Sequence, residues 1–401
     1  MNYIFSNKIG SLAPSAIREI LKATSQPGII PFAAGNPAPE AFPVQAVREI
    51  SARLLEERPV DCLQYGITEG YAPLRARVRE DLRSRLQIGS EDDDLIITSG
   101  AQQVVDLATK ALCNEGDVVV AESPSFIGSL NTFRSYGARL RGVPLQADGM
   151  DVDALEAILR EEKNVRFIYT IPNYQNPSGV TMGLEKRRRV YELARQYGVL
   201  ILEDNPYGEL RYDPPQRISD SPGTPGGEAL PCIKSFDEDG IVIYAGSFSK
   251  ILSPGLRVGY ALAPAPVIAK MTVGKQASDV HTPIFNQIIV DEWMKNYDVA
   301  GHIANIRAIY RAKRDLMCDG LAGSILRFQR PAGGLFLWCE LPAGADMLDY
   351  AGRAVAQKVA VVPGIAFAVE GNEKINAVRL NFSTPTDEQL VKGVEILAGL
   401  R

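Results

Sequence analysis

The sequence predicts an α/β fold: a large domain whose mainly parallel sheet is sandwiched by helices, joined to a smaller α+β domain built from both chain ends. Three observations carry this expectation. From Leu95 to Leu262, short apolar runs alternate with segments of helical periodicity. The runs are apolar at nearly every position, as strands covered by helices on both faces must be. Polar residues collect immediately after the runs, where open parallel sheets place their ligands.

Length and composition set the outer limits. The 401 residues are enough for about two or three domains and a large core. A net charge of -5 leaves no electrostatic footprint for nucleic acid or an anionic membrane. No apolar run reaches the length of a membrane span. The start, Met1 to Lys8, lacks the basic-then-apolar order of a signal peptide. Cys62, Cys113, Cys232, Cys318 and Cys339 are an odd, scattered set without zinc or redox spacing. Reduced thiols in a cytoplasmic protein are therefore expected. Two histidines, His281 and His302, cannot build a His-rich metal site, and no Asp/Glu spacing points to a metal.

The elements follow in order. Ile17, Ile20 and Leu21 recur at helical spacing and leave Arg18 off the apolar stripe, and Pro27-Gly28 ends that helix. Phe32 to Pro37 is irregular, with Gly35 allowing close backbone approach. Pro43 opens a helix with Val47, Ile50 and Leu54 on one face. After Leu63-Gln64-Tyr65-Gly66, the residues Leu74, Val78, Leu82 and Leu86 repeat every fourth position. Strand Leu95 to Thr98 leads into Ser99-Gly100-Ala101-Gln102 and a helix. Strand Val118 to Val120 ends in Glu122-Ser123-Pro124-Ser125-Phe126. Strand Phe167 to Thr170 ends in the run Pro172 to Gly179. A helix stopped by Gly198 precedes strand Val199 to Leu202, which ends in Glu203-Asp204-Asn205-Pro206-Tyr207. Pro214 to Pro231 reads as an exposed Pro/Gly-rich insertion. Beyond about residue 290 the pattern changes. A long helix carries Ile303, Ile306 and Ile309, and Gly333-Gly334 introduces a strand to Trp338. Ala377 to Phe382 alternates with period two, placing Val378, Leu380 and Phe382 opposite Arg379 and Asn381. The expected division is an N-terminal segment 1–58 packing with the small domain, a large domain 59–290 and a small domain 291–401.

The stretch that organises the rest is Gly246-Ser247-Phe248-Ser249-Lys250, after the buried strand Ile241 to Ala245 and closed by Arg257. Hydroxyls on both sides of a lysine, with a guanidinium close behind, suit an anionic ligand. Pyridoxal 5′-phosphate (PLP) needs that set: an amine for its aldehyde, hydroxyls and a guanidinium for its phosphate. The plain alternative is a surface lysine in a Ser/Gly loop.

Five motifs in order, Tyr65-Gly66, Ser99 to Gln102, Asn176-Pro177-Ser178-Gly179, Asp204 to Tyr207, and Ser247 to Lys250 with Arg257, resemble the fold-type-I, class I PLP-dependent aminotransferases. Within them the likeness is to the 2-aminoadipate and kynurenine (aromatic) aminotransferase branch, and it runs from Ser15 to Asn381. The resemblance implies a seven-stranded sheet, PLP as cofactor, and Lys250 as both its anchor and the general base. Asp204 then pairs with the pyridine nitrogen, against the alternative of a helix N-cap. Asn176 and Tyr207 match the pair that holds the ring O3′; the alternative for Asn176 is a plain β-turn. Phe126 matches the ring that stacks on the pyridine, or is an ordinary core phenylalanine. Ser99, Gly100, Ala101 and Gln102 at a helix N-terminus, with Ser247, Ser249 and Arg257, would cup the phosphate. Tyr65 matches a tyrosine that reaches the neighbouring subunit's phosphate, which requires a homodimer; otherwise it is a turn tyrosine under helix packing. Arg379 resembles the arginine that grips the substrate α-carboxylate, against a surface arginine on an edge strand. Ser15, Arg18 and Gly35 occupy positions that touch the substrate side chain in that branch, although Arg18 also fits a solvated helix face. Asn36 departs from the apolar residue expected there and argues against a strict aminoadipate preference.

The implied reaction is ping-pong transfer of an α-amino group to 2-oxoglutarate. The donor would be an acidic, aromatic or branched 2-amino acid, 2-aminoadipate included. Two other readings keep the fold: a β-lyase or ring-forming elimination, and a non-catalytic regulatory domain binding PLP as a signal. The acidic charge, and a fold that starts within about the first twenty residues, count against the second.

Overall fold

The computed structural model describes residues 3–10, 12, 28–212 and 230–400. Ser15, Arg18 and the helix expected around them lie outside the described residues, as does the Pro/Gly-rich run except for its last two residues.

Eight strands form the large sheet: β1 (Asp93–Thr98), β2 (Val118–Ser123), β3 (Arg139–Gln146), β4 (Gly149–Met150), β5 (Val165–Thr170), β6 (Leu200–Asp204), β7 (Val242–Ser247) and β8 (Gly259–Pro264). Their order is β1-β8-β7-β6-β5-β2-β3-β4. The run from β7 to β3 is parallel, while β8 is antiparallel to both neighbours. The expected seven strands thus gain an eighth, the two-residue β4 folded back on β3. β3 is not legible as a strand in the sequence. Its Arg139-Leu140-Arg141-Gly142 run lacks the apolar signature because it lies partly exposed, with both arginines reaching Glu162.

Strict alternation explains why the central strands carry unbroken apolar runs. Ile96, Val119, Ala121, Phe167, Tyr169, Leu202 and Ile243 face one core. Their sequence neighbours Val118, Val120, Ile168, Ile201 and Val242 face another across the sheet, and Leu95 and Ile97 a third. Burying both faces leaves no position where a polar residue is free of cost. The covering helices include α1 (Val44–Glu57), α2 (Ala72–Asp81), α3 (Ala101–Leu112), α4 (Ile127–Ser135), α5 (Val152–Glu161) and α6 (Leu184–Tyr197). The expected fourfold repeat from Leu74 holds through Leu82, after which the helix widens into a π turn over Leu82–Leu86. Gly198 ends α6 at φ 66°, a left-handed position that glycine takes without strain.

A second, antiparallel sheet is made of β9 (Phe336–Glu340), β10 (Val362–Pro363) and β11 (Ala377–Asn381), in the order β10-β11-β9. The middle position of β11 corrects the edge-strand alternative for Arg379: the residue is 7% exposed, and every residue of β11 is buried. Its polar face therefore looks into the protein. The N-terminal stretch runs along this sheet, with Ile30 bridged to Val359 and the Asn381 amide donating to the Phe32 carbonyl at 2.8 Å. Among the described residues no helix is long and apolar enough to cross a membrane, and no cluster of His, Cys, Asp and Glu could hold a metal.

Candidate active site

The site is assembled at the C-terminal ends of β2, β5, β6 and β7, where side chains leave the apolar sheet. Lys250 follows β7 by three residues. Its Nζ donates to the Gly35 carbonyl at 2.9 Å. Burial, reinforced by the positive charges of Arg379 and Arg257, pulls this amine down from 10.5 to about 8. Among the described residues no carboxylate pairs with it.

Asp204 is the last residue of β6 and is buried. No helix begins after it, so the N-cap alternative fails. Its Oδ2 accepts from the Tyr169 hydroxyl at 2.8 Å, while Oδ1 is buried without a hydrogen-bond partner. Burial raises its proton affinity to about 6, opposed by the Tyr169 hydrogen bond. Tyr207 is 5% exposed and meets the Phe336 ring edge-on at 5.9 Å. Burial pushes its phenol up, against the pull of Arg379 and a hydrogen bond with Asn176.

Arg379 crosses from the small sheet into this region. Its Nη1 donates to Asn176 Oδ1 at 3.0 Å and its Nη2 to the Ala33 carbonyl at 2.9 Å. Asn176 does sit in a turn, but its side chain is engaged rather than idle. The guanidinium lies 4.3 Å from the Phe336 ring centre and 5.0 Å from that of Phe367, a cation–π sandwich. Burial lowers its pKa to about 10, and its Nε has no hydrogen-bond partner. Three consecutive carbonyls, those of Ala33, Ala34 and Gly35, thus hold both Arg379 and Lys250.

A second group of residues gathers at the N-terminus of α3. Gly100 precedes the helix at φ 81°, and a Cβ there would strike the Arg257 guanidinium. Gly259 has the same logic from the other side: a Cβ would lie 2.7 Å from the Ala101 amide. Arg257 Nη2 donates to the Ser99 carbonyl at 2.9 Å. The Ser99 hydroxyl donates to Asp279, and the Gln102 amide turns away to Gly128 and Thr132. Only the backbone N–H of Gln102 therefore remains toward the helix end. Ser247 Oγ accepts from the Ser249 amide at 3.1 Å. Phe126 caps the start of α4, partly buried against the main core. Tyr65 is 83% exposed, set edge-on to His281 at 5.8 Å, and packs under no helix among the described residues.

Phe336, Phe367, Tyr169 and Asp279 escaped sequence reasoning. Nothing local marks them: each is an ordinary core or turn residue until the chain folds back on it.

These residues fit PLP. An unpartnered buried carboxylate oxygen awaits a donor, a glycine-lined helix end with an arginine awaits an anion, and an amine of lowered proton affinity awaits an aldehyde. Known proteins agree. The family described as "Aminotransferase class I and II" matches residues 27–397. The chain is 40% identical to aromatic-amino-acid aminotransferase 1 of Thermococcus litoralis, over 98% of this chain and 93% of that one. It is 39% identical to a 2-aminoadipate transaminase of Thermus thermophilus, over 98% and 95%. The crystal structure of LysN, an alpha-aminoadipate aminotransferase from Thermus thermophilus complexed with N-(5'-phosphopyridoxyl)-L-leucine, superposes with a TM-score of 0.87 at 38% identity, covering 98% of this chain and 96% of that one. The chain belongs to the class I and II aminotransferases. It is a PLP-dependent transaminase of fold type I.

Proposed function

We propose that the protein transfers the α-amino group of an acidic, aromatic or branched 2-amino acid to 2-oxoglutarate by a ping-pong route, with 2-aminoadipate among its donors. The observation that carries this reading is the pairing of a cation-flanked Lys250 amine with a buried Arg379 across the carbonyls of residues 33–35. When bound, PLP supplies an aldehyde and a ring that accepts the electron pair left at the substrate Cα. Lys250 Nζ anchors the cofactor and takes up the Cα proton, a role suited to an amine poised near pH 8. Asp204 Oδ1 receives the ring N–H and keeps that proton in place. Asn176 and Tyr207 donate to O3′, and Phe126 covers the ring face.

Gly100, Ala101 and Gln102 offer backbone N–H groups to the phosphate, with Ser99, Ser247, Ser249 and Arg257 around it. Tyr65 completes the neighbour's phosphate site in a cytoplasmic homodimer. Its 83% exposure supports a role outside its own chain. Arg379 holds the α-carboxylate, a reading supported by its buried Nε, which has no partner. Gly35 is assigned to the substrate side chain, as are Ser15 and Arg18, which lie outside the described residues. The large unit that carries the cofactor spans 59–290, flanked by 1–58 and 291–401.

A donor screen with 2-oxoglutarate tests the reading. Glutamate should form from 2-aminoadipate and from aromatic donors with parallel double-reciprocal lines. Lines that intersect, or a protein that turns over none of these donors, would contradict it. Arg18→Ala should cost acidic donors more than aromatic ones; equal loss for all would remove Arg18 from the side-chain site.

A further inference from the structure

Asp204 has two carboxylate oxygens, and the structure treats them differently. Oδ2 accepts from the Tyr169 hydroxyl at 2.8 Å, and the Tyr169 oxygen in turn accepts from Ser129 Oγ at 2.8 Å. Oδ1 is buried and has no partner. All three residues are buried; Ser129 and Tyr169 are at 0% exposure. They come from three elements, α4, β5 and β6. The other buried carboxylates at these strand ends are taken up elsewhere, Glu122 by Thr170 Oγ1, the Ile171 amide and Gln175 Nε2, and Glu203 by the Ile233 and Lys234 amides, and neither offers Asp204 a donor. The Tyr169 ring is itself fixed edge-on against Phe133 at 5.3 Å.

We infer that Ser129 and Tyr169 are positioning residues: a two-step hydrogen-bond relay that occupies one oxygen of Asp204 and presents the other, unpaired, to the cofactor's ring nitrogen. Hydroxyl direction follows from the chemistry. An ionised carboxylate only accepts, so Tyr169 must donate to it, and Ser129 must then supply Tyr169. The relay does two things. It stops the carboxylate from rotating to satisfy both oxygens elsewhere. It also stabilises the charged form of Asp204 against burial, so that the acid pairs with a protonated ring nitrogen instead of taking its proton. This rests on the reading of Asp204 as the partner of that nitrogen.

The test compares two ligands on the cofactor-free protein, PLP and its 1-deaza analogue, in which the ring nitrogen is replaced by C–H. Tyr169→Phe keeps the ring and removes the hydroxyl. It should weaken PLP binding by about 5- to 30-fold, the span of one unmade buried hydrogen bond, and leave the analogue within about twofold. Ser129→Ala, in which Tyr169 still donates, should weaken PLP less than Tyr169→Phe does, again sparing the analogue. Asp204→Asn serves as the reference and should also discriminate between the two ligands. If Tyr169→Phe weakens both ligands equally, or neither, while Asp204→Asn discriminates, the relay is wrong and the role of Asp204 stands. Equal treatment of both ligands by Asp204→Asn would overturn that role and the relay together.

Discussion

Lys234 and Lys250 are the same side chain placed in opposite electrostatic surroundings. Lys234 lies before β7, and its Nζ sits 2.8 Å from Asp93 Oδ1 and 2.7 Å from Asp237 Oδ2. Lys250 lies after the same strand, has one carbonyl for a partner, and is flanked by the cations Arg379 and Arg257. A buried ammonium with two carboxylates is tied down and inert. A buried amine among cations gives up its proton early and becomes a nucleophile and a base. One end of the strand holds a lysine fixed between two carboxylates, and the other the lysine proposed to anchor the cofactor.

Substitutions should separate the two ends. Lys250→Ala should lower turnover by at least about a hundredfold and abolish the cofactor's yellow absorbance, with thermal stability of the cofactor-free protein unchanged or raised. Lys234→Met should do the reverse: unfolding in urea should show a loss of about 3–5 kcal/mol, because Asp93 and Asp237 are left buried and uncompensated, while turnover per folded molecule holds. A Lys234 variant of full stability would erase the contrast. Arg379→Lys keeps the charge and removes the fork. It should reduce kcat/KM for the amino donor by about 10- to 100-fold, mostly in KM, measured by initial rates.

The smallest effect is on pH. In the cofactor-free protein the Lys250 amine falls from 10.5 to about 8. Between those values the folded state binds fewer protons than the unfolded one, so stability should rise as pH increases through that window. Pulse acetylation of position 250 should be half-maximal near pH 8; a midpoint near 10.5 would remove the cationic surroundings from the account.

The sequence makes some of this legible and hides the rest for physical reasons. The placement of Lys250, Asp204 and the Asn176 turn at strand ends is legible because a double-faced apolar strand announces where it stops. The period-two pattern of 377–382 sets Arg379 opposite Val378 and Leu380, but a polar face reads as solvent-facing unless something is known to cover it. What covers Arg379 is the backbone of Ala33 and Ala34, 346 and 345 residues away, and the rings of Phe336 and Phe367. Backbone carbonyls carry no residue signature, so no pattern could announce them. Tyr169 is hidden differently: in the apolar run Phe167-Ile168-Tyr169, an aromatic residue whose hydroxyl is used looks the same as one whose hydroxyl is not. Ser15 and Arg18 lie outside the described residues, so the side-chain end of the site rests on the donor screen.

The most direct measurement is covalent. Protein saturated with PLP, reduced with borohydride and digested, should yield a single phosphopyridoxyl-bearing peptide, modified at Lys250. A label at Lys234 or nowhere would contradict the account at its centre.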